Sequence, residues 1–316
     1  MAIKFMAFVK DLFTPPPPPS ASFGKLPPIA FPNQIKENLT YSVDTLTGYL
    51  PSFSDRAKVY KITIDPPTLL GFEKTRQKVG QIGFTSSGTQ ISEDTYQWVS
   101  QGTLQKSITI NIFSSNFALS SSYPVTPSLQ TFSGTDDVDN TIDTAKSFLT
   151  EMSLFPQDLD ESKTKTTLYS TDQSVLVSAA KISNAKIVQV DFFQKDIDSL
   201  PIYYEKGISS TLDFLVGKEE GRQEIVGATF FHRNISETSS TYAIKTAQQA
   251  YSELQNNKAY IAYKDPNTVE FTVKKVSLGY YIGATDQNFL MPVIVFEGSN
   301  NFLAYVSAVK DEWISN

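Results

Sequence analysis

At 316 residues with 40% hydrophobic content, the chain is long enough to bury a sizeable core, as one large domain or two. Its formal charge of −6, with Lys and Arg scattered along the chain, excludes a dedicated nucleic-acid binder, whose basic stripe must displace counterions. Cysteine is absent, which excludes disulfides and thiol chemistry and leaves a cytosolic or a bacterial surface setting equally open.

In the first 13 residues Phe5, Met6, Phe8, Val9, Leu12 and Phe13 gather on one side of a helical wheel, with Lys4, Lys10 and Asp11 opposite. A bilayer span needs about 20 apolar residues, so this reads as an amphipathic helix, and no small-residue cleavage site follows it. It is an interfacial anchor, the remnant of a longer membrane segment, or a docked helix, with Phe5, Phe8, Val9, Leu12 and Phe13 as the expected membrane or partner contacts. Five prolines at 15–19, then Pro27, Pro28 and Pro32, favour a stiff polyproline II spacer of ~3.1 Å per residue. Residues 1–35 therefore read as an arm, residues 36–155 as one α+β unit and residues 156–316 as a second that ends in a β-meander.

Strand patterns fall at residues 59–64, 95–100, 107–113, 116–120, 166–169, 174–179, 186–193, 201–205, 210–216 and 224–232. Helix patterns fall at 69–82, 138–152 and 241–255. In the second, Val138, Ile142, Ala145, Leu149 and Met152 share a face, and in the third Ala243, Ala247, Ala250, Tyr251 and Leu254 do. Ser239 or Ser240 is the expected cap of the third helix, and Asn256 or Asn257 its end.

Residues 259–309 then read as four strands. Alternation changes phase at Lys275, which calls for a bulge near Lys274, and residues 291–296 are apolar on both faces, as a central strand is. One helix followed by about three strands thus recurs three times. The predicted class is α+β, with antiparallel sheets each covered by a helix in possibly repeated units. Residues 201–309 should form a sheet with the third helix across one face, over Tyr251, Leu254, Leu278 and Val293. Adjacent aromatic pairs, such as Tyr203 with Tyr204 and Tyr280 with Tyr281, should split between opposite sheet faces.

The order Pro201, Gly207, Leu212, Phe214, Ile244, Ala250, Leu254 and Tyr260, then Leu278, Gly279, Tyr280, Tyr281, Pro292, Val293 and Tyr305, resembles the C-terminal half of the YycH/YycI-type extracytoplasmic regulators. That resemblance implies PepSY-like units outside the membrane that restrain a sensor kinase, and it implies no catalytic residues. The chain departs from the family in having no recognisable full-length membrane helix. The run Phe23, Gly24, Lys25, Leu26, Pro27 after the prolines is also similar to uncharacterised surface proteins of small-genome bacteria.

His232 is the sole histidine, so a multi-histidine metal site is impossible and any Ser, His, Asp triad must use it. No phosphate loop or nucleophile elbow occurs. Ser-x-x-Lys recurs, at Ser162, Ser178, Ser183 and Ser307 among others, as chance predicts in a Ser- and Lys-rich chain. The acidic run Asp136, Asp137, Asp139, Asn140 and Asp143 lacks the glycine and terminal glutamate of a calcium loop and suits a helix N-terminus, and Asp158, Asp160 and Glu161 read as a second, solvated acidic loop. No catalytic, cofactor or metal site is therefore expected. The expected function is a non-enzymatic extracytoplasmic interaction or scaffold module, anchored or docked through its arm and possibly regulating a membrane partner. The alternatives are a carboxylate-dependent hydrolase of the cell envelope and a self-assembling surface protein. The expected partner is a protein, either a membrane protein or a second copy, with a membrane surface engaged through residues 1–13.

Overall fold

A computed structural model describes residues 18–34, 37–63, 66, 68–100, 104–123, 129–172, 175–207 and 209–315. In chain order the first half contains β1 (Thr40–Val43), β2 (Arg56–Thr63), α1 (Gly71–Gln81), β3 (Thr89–Gln90), β4 (Thr95–Val99), β5 (Lys106–Asn111), β6 (Phe117–Ser121) and α2 (Thr135–Glu151). Then come β7 (Lys165–Asp172), β8 (Val175–Ser178), β9 (Ile187–Asp191), β10 (Ile202–Tyr204), β11 (Leu212–Glu219) and β12 (Arg222–Phe230). The chain ends with β13 (Asn234–Ala243), α3 (Ala247–Gln255), β14 (Tyr260–Tyr263), β15 (Glu270–Ile282), β16 (Phe289–Gly298) and β17 (Leu303–Ser307).

These strands form two large sheets. One has nine strands in the order β3-β4-β5-β6-β12-β11-β9-β7-β8, every pair antiparallel. The other has eight, with a spine β1-β15-β16-β17-β14. On that spine β1 and β10 each run parallel to β15, β2 pairs with the start of β16, and β13 pairs with β2. The α+β expectation of helix-covered repeat units is therefore corrected. The chain is mostly β, 42% strand against 18% helix, with three helices among the described residues. Strands from distant stretches pair edge to edge, as β6 does with β12, so the expected units do not close separately. For the same reason the expected boundary at 155/156 runs through the nine-stranded sheet.

One face of the nine-stranded sheet is covered by α1, through Val79, and by α2, through Val138, Ala145 and Leu149, over Ile108, Phe117, Val190, Phe214 and Phe230. The third helix begins later than its pattern predicts. Residues 241–243 are paired with β2 as part of β13, and Thr246 makes a capping box with Gln249. Asn257, just past its end, takes φ 55°, a conformation asparagine tolerates. Ala247, Ala250, Tyr251 and Leu254 pack on Phe271, Val273, Ile294 and Phe296 of the eight-stranded sheet, with Leu278 half-buried beside them. Val293 is buried on the opposite face. The expected bulge near Lys274 is present as a register shift between Val273 and Lys275.

The doubly apolar β16 explains what happens on that opposite face. Ile294 and Phe296 lie beneath α3, whereas Met291, Val293 and Val295 face away from it. Residues 20–34 cross there as an irregular strap, so the expected linker is, over these residues, part of the body. Leu26 is fully buried against Val59, Tyr242, Met291 and Val309, and forms a parallel bridge with Ile314. At the free edge of β13, Ala21 N donates to Thr241 O (3.0 Å) and Ser22 N to Ser240 Oγ (2.8 Å).

Gly279 has a similar local reason. A Cβ there would lie 2.5 Å from the Tyr203 ring and 2.7 Å from the Pro201 carbonyl, so only glycine lets β10 close on β15. The adjacent aromatics do split between faces, with Tyr280 packing beside Tyr60 and Tyr281 beside Tyr260 and Tyr305.

Candidate functional site

The strap ends at β14, the last strand of the eight-stranded sheet and hence an edge whose outward main-chain groups need partners. Gln34 supplies them with one carboxamide. Its Nε2 donates to Ile261 O at 2.6 Å, and its Oε1 accepts from Ile261 N at 2.8 Å. Three residues earlier the Phe31 ring stacks on Tyr260, with centroids 5.2 Å apart and planes 5° apart, and meets Tyr281 edge-on at 4.8 Å. Burial, followed by the charge of Glu205, pushes the Tyr260 hydroxyl up to about 12, so it stays a donor at neutral pH, to Glu205 O at 3.0 Å. Beside these contacts lies a groove of about 630 Å³, bordered by β14, the end of α3, residues 31–34 and Glu37, Leu39 and Tyr41. Lys264 on its wall pairs with Glu37 at 3.0 Å.

A second polar cluster fastens the two sheets where residues 231–233 pass from β12 to β13. His232 Nε2 lies 2.7 Å from Asp158 Oδ1, and Gln194 Nε2 donates to Asp158 Oδ2 (2.7 Å) and to Arg233 O (2.9 Å). Burial would raise the Asp158 pKa, but the hydrogen bond and charge of His232, with the Gln194 amide, hold it below the ordinary aspartate value. Arg233 is 5% exposed and donates from Nη2 to Thr285 O at 2.8 Å. A cavity of about 120 Å³ beside it is lined by Asp94, Asn111, His232, Arg233 and Asp286.

A third feature, two carboxylates, lies on the far face of the nine-stranded sheet. Asp191 and Asp213 are register partners on β9 and β11, on the face away from α2. Asp191 is 1% exposed and accepts from Ser210 N (3.0 Å) and Gln189 Nε2 (3.0 and 3.1 Å). Its pKa is pushed up to about 6, by burial first and then by Asp213, against the opposing hydrogen bonds and Lys165. Asp213 beside it is half-buried, and burial raises its pKa as well.

Phe5, Phe8, Val9, Leu12 and Phe13 lie outside the described residues. Both acidic runs are engaged internally. Asp137 accepts from Lys218 (2.9 Å) and Gln223, Asp160 from Ser162 N, and Glu161 pairs with Lys146. Among the described residues no cluster of three or more His, Asp or Glu is placed to hold a metal ion, and no helix is long and apolar enough to cross a membrane. Sequence reasoning missed the β14 groove and the strap. The available sign was β16, since a strand apolar on both faces demands a second cover.

No family model and no curated protein matches the chain. Two solved structures are similar in arrangement. An uncharacterized protein from Eubacterium rectale is 14% identical with a TM-score of 0.43, over 88% of this chain and 90% of that one. The YpeB C-terminal domain from Bacillus megaterium is 8% identical with a TM-score of 0.33, over 78% and 95%. At these scores neither neighbour fixes the fold or the function of this chain.

Proposed function

We propose that the protein is a non-enzymatic interaction module whose partner is another protein, engaged along the edge of β14. The observation that supports this reading is the groove of about 630 Å³ beside an edge strand whose outward main-chain groups are held by a replaceable side chain, Gln34. An added strand supplies the same donors and acceptors and draws affinity from main-chain pairing. Selection from a displayed random peptide library against the purified chain tests it. Enriched peptides should slow amide exchange at residues 260–263. No enrichment, or protection confined to other surfaces, would overturn the reading.

The extracytoplasmic setting and attachment through residues 1–13 belong to the same proposal, as does regulation of a membrane partner, the role implied by the YycH/YycI resemblance. The apolar face of Phe5, Phe8, Val9, Leu12 and Phe13 is what supports attachment. Liposome flotation of the full chain and of a chain lacking residues 1–14 checks it, and equal flotation of the two would remove the membrane version.

A further inference from the structure

We infer that the β14 edge beside the groove recognises a segment carrying an aromatic side chain and, three residues later, a side-chain amide, and that residues 31–34, one wall of the groove, hold that edge in cis as a pseudo-ligand. This rests on the reading of the chain as an interaction module and names what its site takes. The occupant is a protein segment of that chemistry.

The chain's own segment displays the recognition. A primary carboxamide carries the same donor and acceptor as a peptide unit, so Gln34 on Ile261 stands in for one residue of an added strand. Phe31, flat on Tyr260 and edge-on to Tyr281, lies on the sheet face that these two tyrosines share, next to that edge. Three extended residues span roughly 10 Å, enough for one segment to reach both positions without a turn.

The hold is uneven along the strap. Leu26 is fully enclosed, whereas Phe31 is half-buried and Gln34 is exposed. Residues 31–34 lie between two holds, Leu26 before them and the Glu37–Lys264 pair after them, and are the part that swings out while both holds stay seated. The open volume beside it gives an incoming segment room for its flanking residues. A tethered competitor acts at roughly millimolar effective concentration, so the cis segment masks the groove from weak ligands.

The probe is a fluorescent peptide with the sequence of residues 29–38, which omits Leu26. The full chain carrying Phe31→Ala and Gln34→Ala should bind it saturably, at least about 10-fold more tightly than the wild-type chain does. A probe with the same two substitutions should lose at least about 10-fold on the variant. Equal binding of the two probes, or no saturable binding by a variant that unfolds at the wild-type temperature, would overturn the inference. Should the double variant fail to fold, Gln34→Ala alone keeps the Phe31 anchor, and no gain over wild type there overturns it equally. Displayed peptides that seat on β14 without an aromatic and amide at this spacing would defeat the inference and leave the interaction-module reading standing. The absence of any peptide ligand at β14 would defeat that reading itself.

Discussion

The two sheets are covered by different means. Over one face of the nine-stranded sheet lie two helices, and the core between is one continuous cluster of aliphatic and phenylalanine side chains. The eight-stranded sheet has α3 on one face and a strap on the other, and its core is divided into smaller clusters rich in tyrosine. A helix satisfies its own main chain, so an oily interface suffices beneath it. An irregular strap does not, and each buried carbonyl it brings needs a donor. Tyr242 is such a donor to the strap, and other tyrosines of this sheet reach carbonyls in β2, in β10 and just past β10. Tyr242 bonds Gly24 O (2.9 Å), Tyr260 bonds Glu205 O (3.0 Å), Tyr305 bonds Tyr204 O (3.0 Å) and Tyr280 bonds Lys58 O (3.2 Å). Tyrosine thus acts on this sheet as an apolar body with a polar tip that reaches carbonyls in strap, loop and strand alike.

The comparison breaks most visibly at the continuous core. Phe214→Ala removes a fully buried ring beneath α2 and should cost about 3–5 kcal/mol of global stability, read from chemical denaturation. Leu26→Ala removes a side chain of equal enclosure but from a strap, at about 2–5 kcal/mol. Here the loss should appear as faster amide exchange in residues 20–34, with the nine-stranded sheet unchanged. Uniform loss of protection in both sheets would show that they do not differ in this way.

Gly279→Ala forces β10 off β15 at a cost of about 1–3 kcal/mol, seen as lost protection of the Tyr280 amide, which bonds Pro201 O at 2.9 Å.

The pH dependence sharpens the contrast, because the nine-stranded sheet holds a carboxylate with a raised pKa. For Asp191 the folded value, about 6, lies above the unfolded one. The folded state then binds the proton more tightly, so a penalty of up to about 3 kcal/mol is present at pH 7 and is relieved as pH falls from about 6 toward 4. Asp191→Asn should raise stability relative to wild type more at pH 7 than at pH 5. Asp158, held below its ordinary value at the junction of the sheets, works in the opposite sense, its contribution being lost as pH falls. The smallest expected effect is that of Tyr242→Phe, which leaves Gly24 O without its donor at about 1 kcal/mol while keeping the ring in place.

Much of this was legible where one local period runs uninterrupted. Val138, Ala145 and Leu149 sit on the buried side of α2, and Ala250, Tyr251 and Leu254 on that of α3, as their spacing predicts. The change of phase at Lys275 marked a real shift of register. The period failed at residues 241–243, where helical spacing lost to pairing with β2, because a strand's hydrogen bonds depend on a partner far away in sequence. It failed too at Pro27, Pro28 and Pro32, since the same residues suit a solvated spacer or a strap, and only burial of Leu26 decides between them.

For the candidate site, Phe31 and Gln34 carry no local pattern at all. Their meaning comes from β14, more than 200 residues away in the chain. The sequence alone determined an acidic, cysteine-free chain with three amphipathic helices and a strand-rich body, because composition and short-range periodicity follow from neighbouring residues. Only the tertiary structure decided that the strands merge into two sheets, that a strap covers the second face of β16, and that β14 is left as an edge. These are outcomes of long-range pairing, and which edge finds a partner is a property of the whole chain.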